Sequence, residues 1–117
     1  MIDKKIVIVS ALRTPFDKYG GVMKDIRSID LGTEVIRQIA DLARIIWNEH
    51  FTPIIGKDQV DYIFYGTTIH AEVAADINVP VRQALLHAGF PSSTLSLTVD
   101  RACCSSMAAF TEGVREI

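Results

Sequence analysis

This chain of 117 residues has little of several things, and each shortage closes a class. It has two cysteines, and they are adjacent, at 103 and 104. Neighbouring cysteines make a poor disulfide framework and are too few for a cysteine-rich zinc site. It has no excess of either charge: the formal net charge is −2, so no electrostatic case exists for nucleic acid or an anionic membrane as partner. No apolar run approaches the length that spans a bilayer. The start, Met1-Ile2-Asp3-Lys4-Lys5, lacks the apolar stretch and cleavage site of a signal peptide, so a reducing cytoplasm is the expected setting. Gly20-Gly21 is not part of a GxGxxG or P-loop pattern, which sets aside a nucleotide fold of those types. His50, His70 and His87 lack metal-ligand spacing and read as surface or element-end residues. No residue is singled out for a metal or for a cofactor.

What remains is an ordinary globular composition, 49% apolar and 22% charged, enough for one domain with a modest core. Lys5 to Ala11, KIVIVSA, is a nearly continuous β-branched run that reads as a strand covered on both faces. A loop follows through Arg27, with a turn at Gly20-Gly21. Asp30 is the expected cap of a helix in which Leu31, Val35, Ile39, Leu42 and Ile46 share one face, with Trp47 and Phe51 as core or interface residues near its end. Pro53 and Gly56 are its expected stop. Val60 to Thr68, VDYIFYGTT, reads as a second strand and residues 69–78 as a loop. Val79 to Ala88 reads as a helix, with Pro80 in its first turn and Gly89 as its C-terminal cap.

The last stretch, TLSLTVDRACCSSMAAFTEGVREI, is the one where local structure and a reactive atom coincide. Leu95, Leu97 and Val99 alternate with Ser96 and Thr98 as in a strand, the chain turns at Asp100-Arg101-Ala102, and a helix of small residues is expected from Cys103. Unpaired N–H groups of a first helical turn carry partial positive charge, so a thiolate there is stabilised. The plain alternative is that Cys103 and Cys104 are small apolar fillers of a helix–sheet contact. The final helix keeps its apolar spacing at Met107, Phe110, Val114 and Ile117 without a stop signal, and the expectation is a chain that is a piece of something longer. Strand, helix, strand, helix, strand, helix is the order, so the expected class is α/β: a layered, mostly parallel and incomplete half-domain.

Five pieces in this order resemble the thiolases, the acyltransferases that cleave or form 3-ketoacyl-CoA. They are IVSALRTPFDKYGG from Ile8, DIRSIDLG from Asp25, VDYIFYGTT from Val60, NVPVRQALLHAGFP from Asn78 and TVDRACCSSMAA from Thr98. The resemblance implies that residues 1–117 are the N-terminal part of the thiolase N-terminal domain, with the β-α-β-α-β-α layering of that fold. It implies that Cys103 is the nucleophile, becoming an acyl-thioester, and that its backbone N–H contributes to an oxyanion hole. In that alignment Asp100 stands for an Asn, Cys104 for the first Gly after the nucleophile and Ser106 for the second. The resemblance implies coenzyme A as substrate rather than cofactor, a homodimer or homotetramer, and base-supplying histidines and a second cysteine in C-terminal segments these residues do not include. The stretch from Ile45 to Gln59 is longer than the usual family loop, which implies an extended first helix or exit. Three other readings stand beside it: a ketoacyl synthase or hydroxymethylglutaryl-CoA synthase of the same fold, a non-catalytic thiolase-like subunit, and a vicinal-dithiol redox protein.

Overall fold

The computed structural model describes residues 5–50, 56–68 and 79–117, with side chains described outside 42–50. Expectations placed on Trp47's side chain, Phe51, Pro53, His70 and the loop 69–78 lie outside the described residues. Helix α1 is Ser28–His50, a single 3-10 turn is Lys57–Gln59, strand β1 is Tyr62–Gly66, helix α2 is Pro80–His87, strand β2 is Leu95–Val99 and helix α3 is Ser105–Glu116. The two strands pair in parallel, from Tyr62 opposite Leu95 to Gly66 opposite Val99. A parallel pair needs a crossover, and α2 lies in that connection. The class is α/β, as the sequence suggests, with helices on both faces of a partial sheet.

Strand side chains alternate between faces, and this sorts the layers. Ile63 points to the cluster of Leu85, Ala88 and Phe90, against which Ile36 and Ala40 of α1 also pack. Tyr65, on the same face, reaches α1 at Gly32, where an added Cβ would collide with the Tyr65 hydroxyl. On the opposite face Tyr62 and Phe64 stack, ring centroids 4.2 Å apart. Phe64 then meets α3 at Gly113, where a Cβ would lie 3.3 Å from the ring. Helices α1 and α2 thus cover one face of β1, and α3 covers the other. Val81 and Leu85 of α2 are fully buried, each worth about 1.5–3 kcal/mol of transfer free energy.

The loop between α2 and β2 is held by Arg82, whose guanidinium donates to the carbonyls of Thr94 at 2.8 Å and Ser92 at 2.6 Å. Pro80 is at the first turn of α2, and Gly89 follows it with φ +83°, both as the sequence suggests. Helix α1 begins before its expected cap. Asp30 lies inside the first turn, and its carboxylate accepts two bonds from Arg27, at 2.9 and 3.0 Å, which hold that carboxyl below the usual range. Both side chains are half-exposed, so the pair adds little stability. The helix continues to His50.

One expected strand does not form. Residues 5–11 adopt no paired strand, and Val7 and Ile8 are 71% and 74% exposed. A strand is made by its neighbours' hydrogen bonds, and the described sheet is β1 and β2 only. The same reason leaves Leu95 and Leu97, two of the three apolar members of β2, exposed, while Val99 is half-buried. His87, the last residue of α2, is exposed at an element end as expected.

Candidate functional site at the turn after the second strand

The chain leaves β2 through a turn held by two side chains. Asp100 Oδ1 accepts the N–H of Ala102 at 3.0 Å, a local carboxylate-to-backbone turn. Ala102 takes φ +50°, the left-handed region that costs a residue with a Cβ of order 1 kcal/mol or more. Ser105, buried, fixes the other side: its Oγ accepts from the Arg101 N–H at 2.8 Å and donates to the Ala102 carbonyl at 2.7 Å. The N–H groups of Cys104 and Ser105 return to Arg101 and Ala102 carbonyls, both at 3.1 Å. The N–H of Cys103 takes no part in these turn bonds.

Helix α3 therefore starts at Ser105, two residues later than the sequence suggests, with Cys104 as its N-cap residue. Cys103 sits at the tip of the turn, just ahead of the cap. The delay shows at Cys104, whose backbone (φ −95°, ψ 7°) is not yet helical.

Both cysteines are exposed and free. They differ in what they face. Cys103 lines a cleft of about 350 Å3 with Ser28, Tyr65, Gly66, Thr67, Thr68, Ala102, Ser105 and Ser106. Cys104 is not part of that lining. The cleft exists because β1 ends in glycine. A Cβ on Gly66 would lie 2.5 Å from the Ser105 carbonyl carbon and the Ser106 nitrogen, and 2.6 Å from the Ser105 oxygen. Only a bare Cα lets the start of α3 come down on the strand end and hold the Cys103 turn beside Thr67 and Thr68.

Tyr65 and Gly66 are residues of this site that the sequence did not single out. Tyr65 sits in the strand before Gly66, and its burial pushes the phenol above its ordinary value of 10.0, so it stays protonated. The available signal was positional: a tyrosine directly before the glycine that ends a strand. Among the described residues no group of three or more His, Cys, Asp and Glu side chains could hold a metal ion. No helix of the described residues is long and apolar enough to cross a membrane.

A family model described as the N-terminal domain of thiolase matches residues 6–117. The chain belongs to the thiolase family. Among thiolase-family relatives, the probable acetyl-CoA acyltransferase of Staphylococcus epidermidis is 34% identical over 105 residues, covering 90% of this chain and 23% of the relative. The probable 3-ketoacyl-CoA thiolase of Caenorhabditis elegans is 35% identical over 109 residues, covering 93% of this chain and 21% of the relative. The acetyl-CoA acetyltransferase IB of Candida tropicalis is 32% identical over 112 residues, covering 96% and 25%. This thiolase-family chain thus spans about a quarter or less of the length of these relatives.

Proposed function

We propose that this chain carries the nucleophile of a thiolase-type acyltransferase, and that Cys103 is that nucleophile. The observation that supports the reading is the position of its thiol: exposed, at the tip of the β2–α3 turn, on a polar cleft that Cys104 does not line. Thioester names on the relatives support the substrate class, acyl-CoA.

The Cys103 thiolate attacks the 3-keto carbon of a 3-ketoacyl-CoA. The bond between carbons 2 and 3 breaks, its electron pair stays on carbon 2, and a proton delivered there by an acid gives acetyl-CoA. The acyl group remains on the Cys103 sulfur as a thioester. The thiolate of a second CoA attacks that carbonyl and leaves with the shortened acyl chain, and the Cys103 thiolate is restored. Run backwards, the same steps form a carbon–carbon bond. Charge builds on the carbonyl oxygen at each attack, and the Cys103 N–H, unused by the turn, is the donor on offer. Coenzyme A is a substrate here, and no other cofactor enters. Acid and base groups come from segments outside residues 1–117, so these residues alone do not turn over substrate. The same reading carries a homodimer or homotetramer in the cytoplasm, and residues 1–117 as the N-terminal part of the thiolase N-terminal domain.

The test is acylation by acetoacetyl-CoA in the full-length protein, followed by intact mass and peptide mapping. Acetyl mass on the peptide at Cys103, lost in Cys103→Ala and retained in Cys104→Ala, is the expected result. Acetylation that follows Cys104, or thiolysis that survives Cys103→Ala at full rate, overturns the assignment.

A further inference from the structure

Two hollows meet at Tyr65. On one side is the Cys103 cleft, of about 350 Å3. Six of its nine lining residues carry hydroxyls: Ser28, Tyr65, Thr67, Thr68, Ser105 and Ser106. Ser105 is committed to the turn, whereas the hydroxyls of Ser28, Tyr65, Thr68 and Ser106 make no hydrogen bond within the described residues. Among those nine there is no cation and no aliphatic side chain larger than Ala102. On the other side is a groove of about 1070 Å3 lined by apolar groups such as Ile8, Val35, Ile39 and Phe110. Tyr65, Gly66 and Ser106 border both hollows. Of these three Tyr65 is the only large side chain, and the bare Cα of Gly32 makes room for its hydroxyl.

Resting on Cys103 as the nucleophile, we infer that the cleft selects short, uncharged acyl groups that carry a keto or hydroxyl oxygen, and that Tyr65 is the wall that keeps longer alkyl chains out. A hydroxyl-lined wall must be hydrated or hydrogen-bonded. An alkyl chain pressed against it strips the water and returns nothing, and each unpaired group then costs free energy. Sites built to bond a substrate oxygen reject analogues without one far more strongly than apolar pockets reject an extra methylene. A carboxylate-terminated acyl group would bring its charge to a wall with no cation among the described residues. Among the described residues the surface suited to a longer alkyl chain is the apolar groove, and Tyr65 stands across that path.

The experiment compares kcat/KM for thiolysis of acetoacetyl-CoA, 3-ketodecanoyl-CoA and 3-ketoadipyl-CoA by the full-length protein. We expect acetoacetyl-CoA to be favoured by at least about tenfold over each. Tyr65→Ala should shift the ratio toward 3-ketodecanoyl-CoA by about tenfold or more, and Thr68→Val, which keeps the volume but swaps hydroxyl for methyl, should shift it the same way by less. If Tyr65→Ala does not fold, Thr68→Val and Tyr65→Phe carry the comparison. A wild-type preference for the ten-carbon or carboxylate substrate, or an unchanged ratio in Thr68→Val, overturns the selection while leaving the nucleophile intact. Absence of any acylation at Cys103 removes the nucleophile assignment and this inference with it.

Discussion

Gly66→Ala is the sharpest perturbation of this site that never touches the thiol. The added methyl would sit 2.5 Å from two backbone atoms of α3 and 2.6 Å from a third. Carbon contacts settle at about 3.5–4.0 Å, so the start of α3 must retreat by about 1 Å. Backbone atoms cannot rotate aside as a side chain can, and overpacking of this kind costs about 1–3 kcal/mol. Replacing glycine within a strand returns about 0.5–1 kcal/mol, which the overpacking cost outweighs. For a chain of this size that lowers Tm by roughly 3–12 °C. The retreat also carries Cys103 off its cleft, and a misplacement of about 1 Å at a reacting group costs about 100-fold in rate. The assay pairs thermal unfolding with the acylation rate at Cys103 at a temperature where the variant is folded. Gly113→Ala is the control, because its Cβ would meet only the edge of Phe64 at 3.3 Å, and a ring can tilt. A Gly66→Ala protein with wild-type Tm and wild-type acylation would refute the account of how α3 is placed.

Three further outcomes are expected. Leu85→Ala removes a fully buried side chain from the cluster that joins α1, α2 and β1, and chemical denaturation should show a loss of about 2–5 kcal/mol with little change in Cys103 chemistry. Arg82→Ala frees two carbonyls at the entry to β2, including that of buried Thr94, and should cost about 1–3 kcal/mol, with faster amide exchange across residues 92–95. Tyr65 is held protonated above its ordinary value of 10.0 by burial. The unfolded chain therefore ionises first, so this contribution is intact below pH 10 and is lost as pH rises from there through the folded value. Unfolding curves between pH 9 and 11 should fall more steeply for wild type than for Tyr65→Phe, and equal slopes would show that the phenol is not protected.

The local pieces of this protein are legible without coordinates because they depend on neighbours in sequence. The 3.6-residue spacing of Leu31, Val35 and Ile39, the proline that opens α2, the glycine that closes it and the β-branched and aromatic run of β1 each act within a few residues. Alternation of strands and helices then leads to parallel pairing, and Cys103 stands out because strand runs directly into helix around it. Where the sequence misleads, the missing information is a contact at long range. Lys5 to Ala11 has every property of a strand except a hydrogen-bonding neighbour among the described residues, and without one its apolar side chains lie exposed. Helix α3 starts two residues later than the sequence suggests because Asp100 and Ser105 bond the turn from both sides and Cys104 keeps a non-helical backbone. The cleft, the separation of Cys103 from Cys104 and the place of Tyr65 between two hollows are tertiary facts. They follow from how closely α3 approaches the end of β1. That distance is set by a glycine whose missing methyl has no meaning until the helix lies against it.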